Sequence, residues 1–141
     1  HFSAVISRCQ TVLEADARLV LVGGDCSGLK ALTSAAGKIK GADVPVVSVT
    51  GGITGNLSET QPIILSVDLQ ELAGIWMSQP CRLDGLSPAQ MIAQIGATKG
   101  HVIAAAVFGL APALDSRGST ETRAALTILQ ALAERLERGA R

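Results

Sequence analysis

Three short stretches of this 141-residue sequence combine the residue types that hold small polar molecules. They are Gly23-Gly24-Asp25-Cys26-Ser27-Gly28, Thr50-Gly51-Gly52-Ile53-Thr54-Gly55-Asn56 and Asp115-Ser116-Arg117-Gly118-Ser119-Thr120. Glycines let a backbone come close to a ligand, and the hydroxyls, amide and guanidinium beside them can bond to it. Two of the stretches open a predicted helix, whose first N–H groups have no helical partner and attract anions. The expected chemistry is recognition of a small anion, such as a phosphorylated metabolite or a nucleotide-like cofactor. Gly24 and Gly52 would offer backbone donors, Ser27 and Thr54 hydroxyls, and Arg117 a charge. Asp25, Thr50, Asn56 and Ser119 complete the candidate set.

Each stretch also has a plainer structural reading. Gly23 and Gly24 permit a tight turn, Asp25 or Ser27 caps the next helix, and Gly28 lets helix and strand pack closely. Asp115 pairs with Arg117 on the surface, and Ser119 caps the last helix. The first stretch lacks the dinucleotide fingerprint, which needs glycines at its first, third and sixth positions, and it lacks the Gly-Lys-Ser/Thr of a phosphate loop. Cys26 near a helix start gains nucleophilicity from that position, but Asp25 beside it acts the other way.

In the second stretch, Thr54-Gly55-Asn56 resembles the phosphate-binding turn of flavodoxins, Thr-x-Thr-Gly-Asn-Thr. The resemblance covers a handful of residues and implies a phosphate held by the turn. In flavodoxins the turn follows the first strand and opens a long helix. Here it follows the second predicted strand and runs into Gln61-Pro62, and the aromatic rings that sandwich a flavin have no counterpart. A mobile hydrophilic loop is the plainer reading.

No catalytic constellation stands out. His101 has no second ligand candidate near it in sequence, so no metal site is expected. The acids Asp16, Asp43, Asp68, Glu71, Asp84 and Asp115 are scattered. The sequence does not identify a cofactor. Basic and acidic residues balance at 12 each and aromatics make up 2%, which argues against nucleic acid as a partner.

The elements that must position the three stretches follow from hydrophobic spacing. Phe2, Val5, Ile6, Cys9, Val12 and Leu13 predict an amphipathic helix from about Ser3 to Ala15, with Ser3 as its cap. "RLVLVGG" reads as a strand covered on both faces, as in a parallel sheet. A helix follows, with Leu29, Leu32, Ala36 and Ile39 inward and Gly41 as its stop. "DVPVVSVTGG" and "PIILSV" give two more strands, parallel or antiparallel to each other. Asp68 caps a predicted helix over 69–79, with Leu69, Leu72, Ala73, Trp76 and Met77 on one stripe. Ser87, Pro88 and Gln90 start another, closed by Gly96 and Gly100. "HVIAAAVFG" is a fourth strand, with a buried helix as the rival. The last helix begins at Ser119 or Thr120 and carries Leu126, Leu129, Leu132, Ala133 and Leu136 inward, with a Glu134–Arg138 pair outside.

Alternating strands and helices predict a three-layer α/β/α domain with a mainly parallel sheet of about four strands, Rossmann-like or flavodoxin-like. Ligands in such sheets collect beyond the carboxyl ends of the strands, where the three stretches fall. A single domain over 1–141 is expected, and an opening at His1-Phe2 without methionine suggests one excised from a larger protein. Three cysteines without metal spacing and no secretory signal point to a reducing, cytoplasmic setting. The longest apolar stretch, Val102 to Leu114, is too short to span a bilayer. Hydrophobic content of 48% against 17% charge excludes disorder and hints at a covered surface. Two functions fit: a small-anion-binding domain, perhaps a non-catalytic lobe or subunit of an enzyme, or a non-enzymatic assembly module acting through protein contacts or homo-oligomerisation.

Overall fold

The computed structural model describes residues 2–23, 26–49, 56–72, 85–110 and 120–138. Its four strands are β1 (Leu19–Val22), β2 (Val46–Ser48), β3 (Pro62–Asp68) and β4 (His101–Phe108). All pairings are parallel, in the order β1-β4-β3-β2. The open question of direction between β2 and β3 is thereby settled as parallel, with Val47 opposite Leu65. "HVIAAAVF" is a strand, not a helix. Its three consecutive alanines, Ala104 to Ala106, let helices approach the centre of the sheet from both sides. A register shift between Ile63 and Ile64 leaves Ile103 without a direct partner on β3.

Helices α1 (Phe2–Glu14) and α2 (Ser27–Lys40) cover one face. Their Cys9, Leu32, Ala35 and Ala36 pack with Ile64, Ile103, Ala104 and Ala106. Helices α3 (Pro88–Ala97) and α4 (Thr120–Arg138) cover the other. Met91, Ile95, Ile128 and Leu132 are fully buried there with Ile63, Leu65 and Val67. Alternate residues of β3 thus serve opposite layers, as the pleat requires. The expected three-layer α/β/α arrangement is what the structure shows.

Local sequence accounts for most element ends. Ser87 Oγ accepts from Gln90 N–H and Gln90 Oε1 accepts from Ser87 N–H, the expected capping box with Pro88 in the first turn. Gly41 ends α2 in the left-handed conformation at φ 68°, donating its N–H to Gly37 O.

Four expectations need correction. Ser3 lies inside α1 and is not its cap. The helix expected over 69–79 is a single 3-10 turn, Leu69–Glu71, after which Leu72 is extended. Leu86 N–H donates to Glu71 O at 2.8 Å, so that carbonyl serves a bridge between Leu72 and Leu86 where a helix would have used it. Trp76 and Met77 lie outside the described residues. The inward stripe of α4 is Ala124, Ala125, Ile128, Leu132 and Leu136, whereas Leu126 is 60% exposed and Ala133 is on the surface. Leu132 and Leu136 are buried as expected and Leu129 packs against the core, so the correction concerns Leu126 and Ala133, whose places are taken by Ala124, Ala125 and Ile128. Glu134 accepts from Gln130 Nε2 in place of the expected Arg138 partner.

The sheet has two unlike edges. β2 is three residues long and follows Pro45, two features that discourage further pairing. β1 is four apolar residues, none of them fully buried, and Val22 is 45% exposed.

Candidate functional site

Because every strand runs the same way, the carboxyl ends at Val22, Ser48, Asp68 and Phe108 share one rim. The predicted ligand loops leave from that rim. Of the candidate residues, Ser27 and Asn56 are described, and both are exposed. Gly24, Asp25, Thr50, Gly52, Thr54, Arg117 and Ser119 lie outside the described residues.

At the β1 end, Gly23 N–H donates to Val107 O at 2.9 Å, which extends the ladder by one residue. The next helix then begins abruptly. Its N-cap is Cys26, which makes no side-chain capping bond, and Ser27 is already the first helical residue. The expectation that Ser27 caps the helix is therefore corrected, and the start of α2 presents its backbone donors without a side-chain oxygen from the N-cap position. Gly28 packs under Leu21: a Cβ there would sit 2.7 Å from Leu21 Cδ2. This is the close approach that the sequence predicted for it. A cleft of about 280 Å³ opens beside these residues, lined by Val22, Gly23, Ser27, Gly28 and Phe108 among others. Cys26 is an exposed free thiol next to Ser27.

At the β3 end, Asp68 Oδ1 accepts from Gln70 N–H at 2.9 Å and so caps the 3-10 turn. Gly109, at φ 88°, lies against this pair. A Cβ on it would meet Gln70 Cγ at 2.9 Å and Asp68 Oδ1 at 3.0 Å. Glycine is required here, because no L side chain would fit. Among the described residues, no three His, Cys, Asp or Glu side chains gather in a way that could hold a metal ion.

The opposite rim carries a group of residues that sequence reading passed over. Asp16, Arg18, Lys40 and His101 line a pocket of about 30 Å³ with Leu13 and Ile39 among its apolar walls. Burial holds His101 below its ordinary pKa, with Arg18 and Lys40 adding to the effect and Asp16 opposing it. The available signal was positional. Arg18 directly precedes β1, Lys40 ends α2 and His101 opens β4, so a parallel sheet must bring them to one end.

The sequence matches no protein-family model and no curated protein. Solved structures do share the fold. A hypothetical agmatinase from Burkholderia thailandensis superimposes with a TM-score of 0.76 at 18% identity, over 99% of this chain and 65% of that one. An arginase from Medicago truncatula gives 0.80 at 13% identity, over 96% and 65%. A T. brucei arginase-like protein, as the triple mutant S149D/R151H/S226D bound with Mn2+, gives 0.75 at 16% identity, over 98% and 66%. The chain thus spans just under two thirds of the length of these proteins, and its architecture is the α/β fold of arginases and agmatinases.

Proposed function

We propose that this chain is a ligand-binding domain on an arginase–agmatinase-type fold, which holds a small anion at the carboxyl rim of its sheet and does not itself carry out metal-dependent hydrolysis. The observation behind this reading is the placement of histidine. The sequence has two, His1 and His101, and His101 stands at the start of β4, the rim opposite the carboxyl ends. In the T. brucei arginase-like protein, the form bound with Mn2+ is a variant into which aspartates and a histidine were introduced. At the described carboxyl rim Asp68 already caps Gln70, and among the described residues no three His, Cys, Asp or Glu side chains gather. Mn2+ takes several oxygen ligands at once, which that described set does not supply.

Anion binding is supported by the start of α2, where Cys26 makes no side-chain capping bond, and by the cleft beside it. Gly24, Gly52, Thr54 and Arg117 would add donors, with Asp25, Thr50, Asn56 and Ser119 at the margins. A reducing, cytoplasmic setting fits the free thiols Cys9 and Cys26. No described helix is long and apolar enough to cross a membrane.

The test has two arms. Urea release from arginine and agmatine is measured with added Mn2+, and none is expected. Thermal unfolding is measured against phosphorylated metabolites and nucleotides. A ligand at a hundred times its dissociation constant stabilises by about 2.7 kcal/mol. Urea production would overturn the first half of the reading, and no stabilisation by any compound the second.

A second reading, an assembly module, is favoured by the uncovered side of β1. An apolar groove of about 410 Å³ runs between α1 and β1, lined by Ala4, Val5, Cys9, Val12, Leu19 and Leu21. Phe2, 50% exposed, lies on the same helix. Light scattering decides it: a monodisperse monomer at high concentration ends this reading.

A further inference from the structure

We propose that the open edge of β1 takes up an extended segment of a different polypeptide, one in which apolar residues alternate and an acid stands among them. The segment would add a strand to the sheet and seat every second side chain in the groove between α1 and β1. This is the uncovered side of the assembly reading with a partner other than a second copy. A monomer in light scattering therefore ends that reading and leaves the peptide site standing.

Backbone, groove and charge point to the same partner. β1 pairs with β4 and stands at the end of the described sheet. Gly23 N–H reaches Val107 O on β4. Main-chain groups alternate sides along a strand, so those of Leu21 and Leu19 also face β4, and those of Val22 and Val20 face outward. An added strand can bond to both outward residues, as in β-augmentation. An aliphatic small molecule would cover the same polar groups without bonding to them, which costs desolvation.

The side chains suit an extended segment as well. Leu19 and Leu21 pack on the α1 side of the sheet, whereas Val20 belongs to the opposite core. With Val5, Cys9 and Val12 of α1, the two leucines line the groove of about 410 Å³. That volume lies within the roughly 300–1,000 Å³ of a ligand pocket. Successive side chains of a strand point to opposite faces, so alternate residues of the segment would enter the groove.

Charge selects among polypeptides. Arg8 is exposed and is the charged residue in the groove lining. Pairing with a second copy edge to edge is isologous, so each groove would receive a surface that carries the same cation. A segment with Asp or Glu beside its apolar residues meets Arg8 with opposite charge. The other edge invites no such pairing, because β2 is three residues long and follows Pro45.

A random peptide library is selected on the immobilised chain. The enriched peptides should alternate apolar residues, contain Asp or Glu and lack proline in the paired stretch. A synthetic copy of the most enriched peptide is then added to the isotope-labelled chain, and amide exchange is followed by NMR. The amides of Val20 and Val22 should slow by about tenfold or more at saturation, and those of Leu19 and Leu21, which face β4, should change less. Arg8→Glu alters an exposed side chain, so it should keep the thermal midpoint and weaken peptide binding by about tenfold or more. A library that enriches nothing overturns the proposal. So does an enriched peptide that leaves Val20 and Val22 exchanging as before, or an affinity indifferent to Arg8→Glu. Slowing of these two amides by protein concentration alone also overturns it and assigns the edge to a second copy.

Discussion

Nη2 of Arg135 on α4 donates to the carbonyl oxygen of Gly100 at 2.7 Å, across 35 residues of sequence. The same atom reaches Thr98 O at 2.9 Å. One guanidinium, itself 8% exposed, thus holds both carbonyls of the turn that leads from α3 into β4. Gly100 sits at φ 100° with Ile63 packed against it. This turn sets where His101 enters the sheet, so α4 fixes the amino rim from behind. Burial lowers the guanidinium pKa, with Arg138 adding to the effect and Glu59 opposing it. Arginine nevertheless stays charged at any ordinary pH.

Arg135→Met should therefore cost about 2–4 kcal/mol in urea unfolding, because two buried carbonyls lose a charged donor. A loss under about 0.5 kcal/mol, the range of an ordinary surface substitution, would show that the turn holds without it.

Gly109→Ala should destabilise by about 1–3 kcal/mol, since φ 88° is strained for alanine and its Cβ would press on the Asp68–Gln70 cap. Gly96→Ala is the control. Its Cβ would meet nothing within 4 Å inside α3, and it should be neutral or mildly stabilising. Equal melting temperatures for the two variants would refute the assignment of strain to the β4 end.

Stability should fall as the solution is acidified past the ordinary histidine range. The His101 pKa is lower in the folded state than its reference of 6.5, so the unfolded chain binds the proton first. The stability associated with neutral His101 is complete above 6.5. It is lost as pH drops through that value and levels off once the folded form is protonated as well. His101→Gln should flatten this part of the pH profile in denaturant titrations at fixed ionic strength. A wild-type curve that is flat, or that rises towards acid, contradicts the placement of His101 among cations.

Val22→Lys puts a charge on the exposed residue of the β1 edge, the device by which soluble sheets discourage edge pairing. If copies of the chain associate through this strand, the substitution should lower the weight-average mass at high concentration and leave the melting temperature unchanged. An oligomer that tolerates it places the contact elsewhere.

Much of the fold was readable from local signals. The Ser87–Gln90 capping box, the Gly41 stop and the close approach at Gly28 each depend on residues near in sequence, and each is present. Errors arose where a distant contact outweighed a local pattern. The stripe after Asp68 has helical spacing, but the Glu71 carbonyl is used by Leu86. On α4 the buried Leu132 and Leu136 were legible from spacing, whereas Leu126 is exposed and the small Ala124 and Ala125 are buried with Ile128. The carboxyl-rim residues could be proposed because strand ends and glycines advertise such a rim. Arg18, Lys40 and His101 gave no such signal, since each looks like an isolated polar residue until the parallel topology gathers them.

The order β1-β4-β3-β2 gives a neighbour on both sides to β3 and β4 alone. Amides of 62–68 and 101–108 should exchange with deuterium last, near the global unfolding limit, while β1 and β2 open by local fraying. The loops after Val22 and Ser48 leave from those two margins. A ligand taken up at those margins would therefore touch strands that open without the slow-exchanging centre.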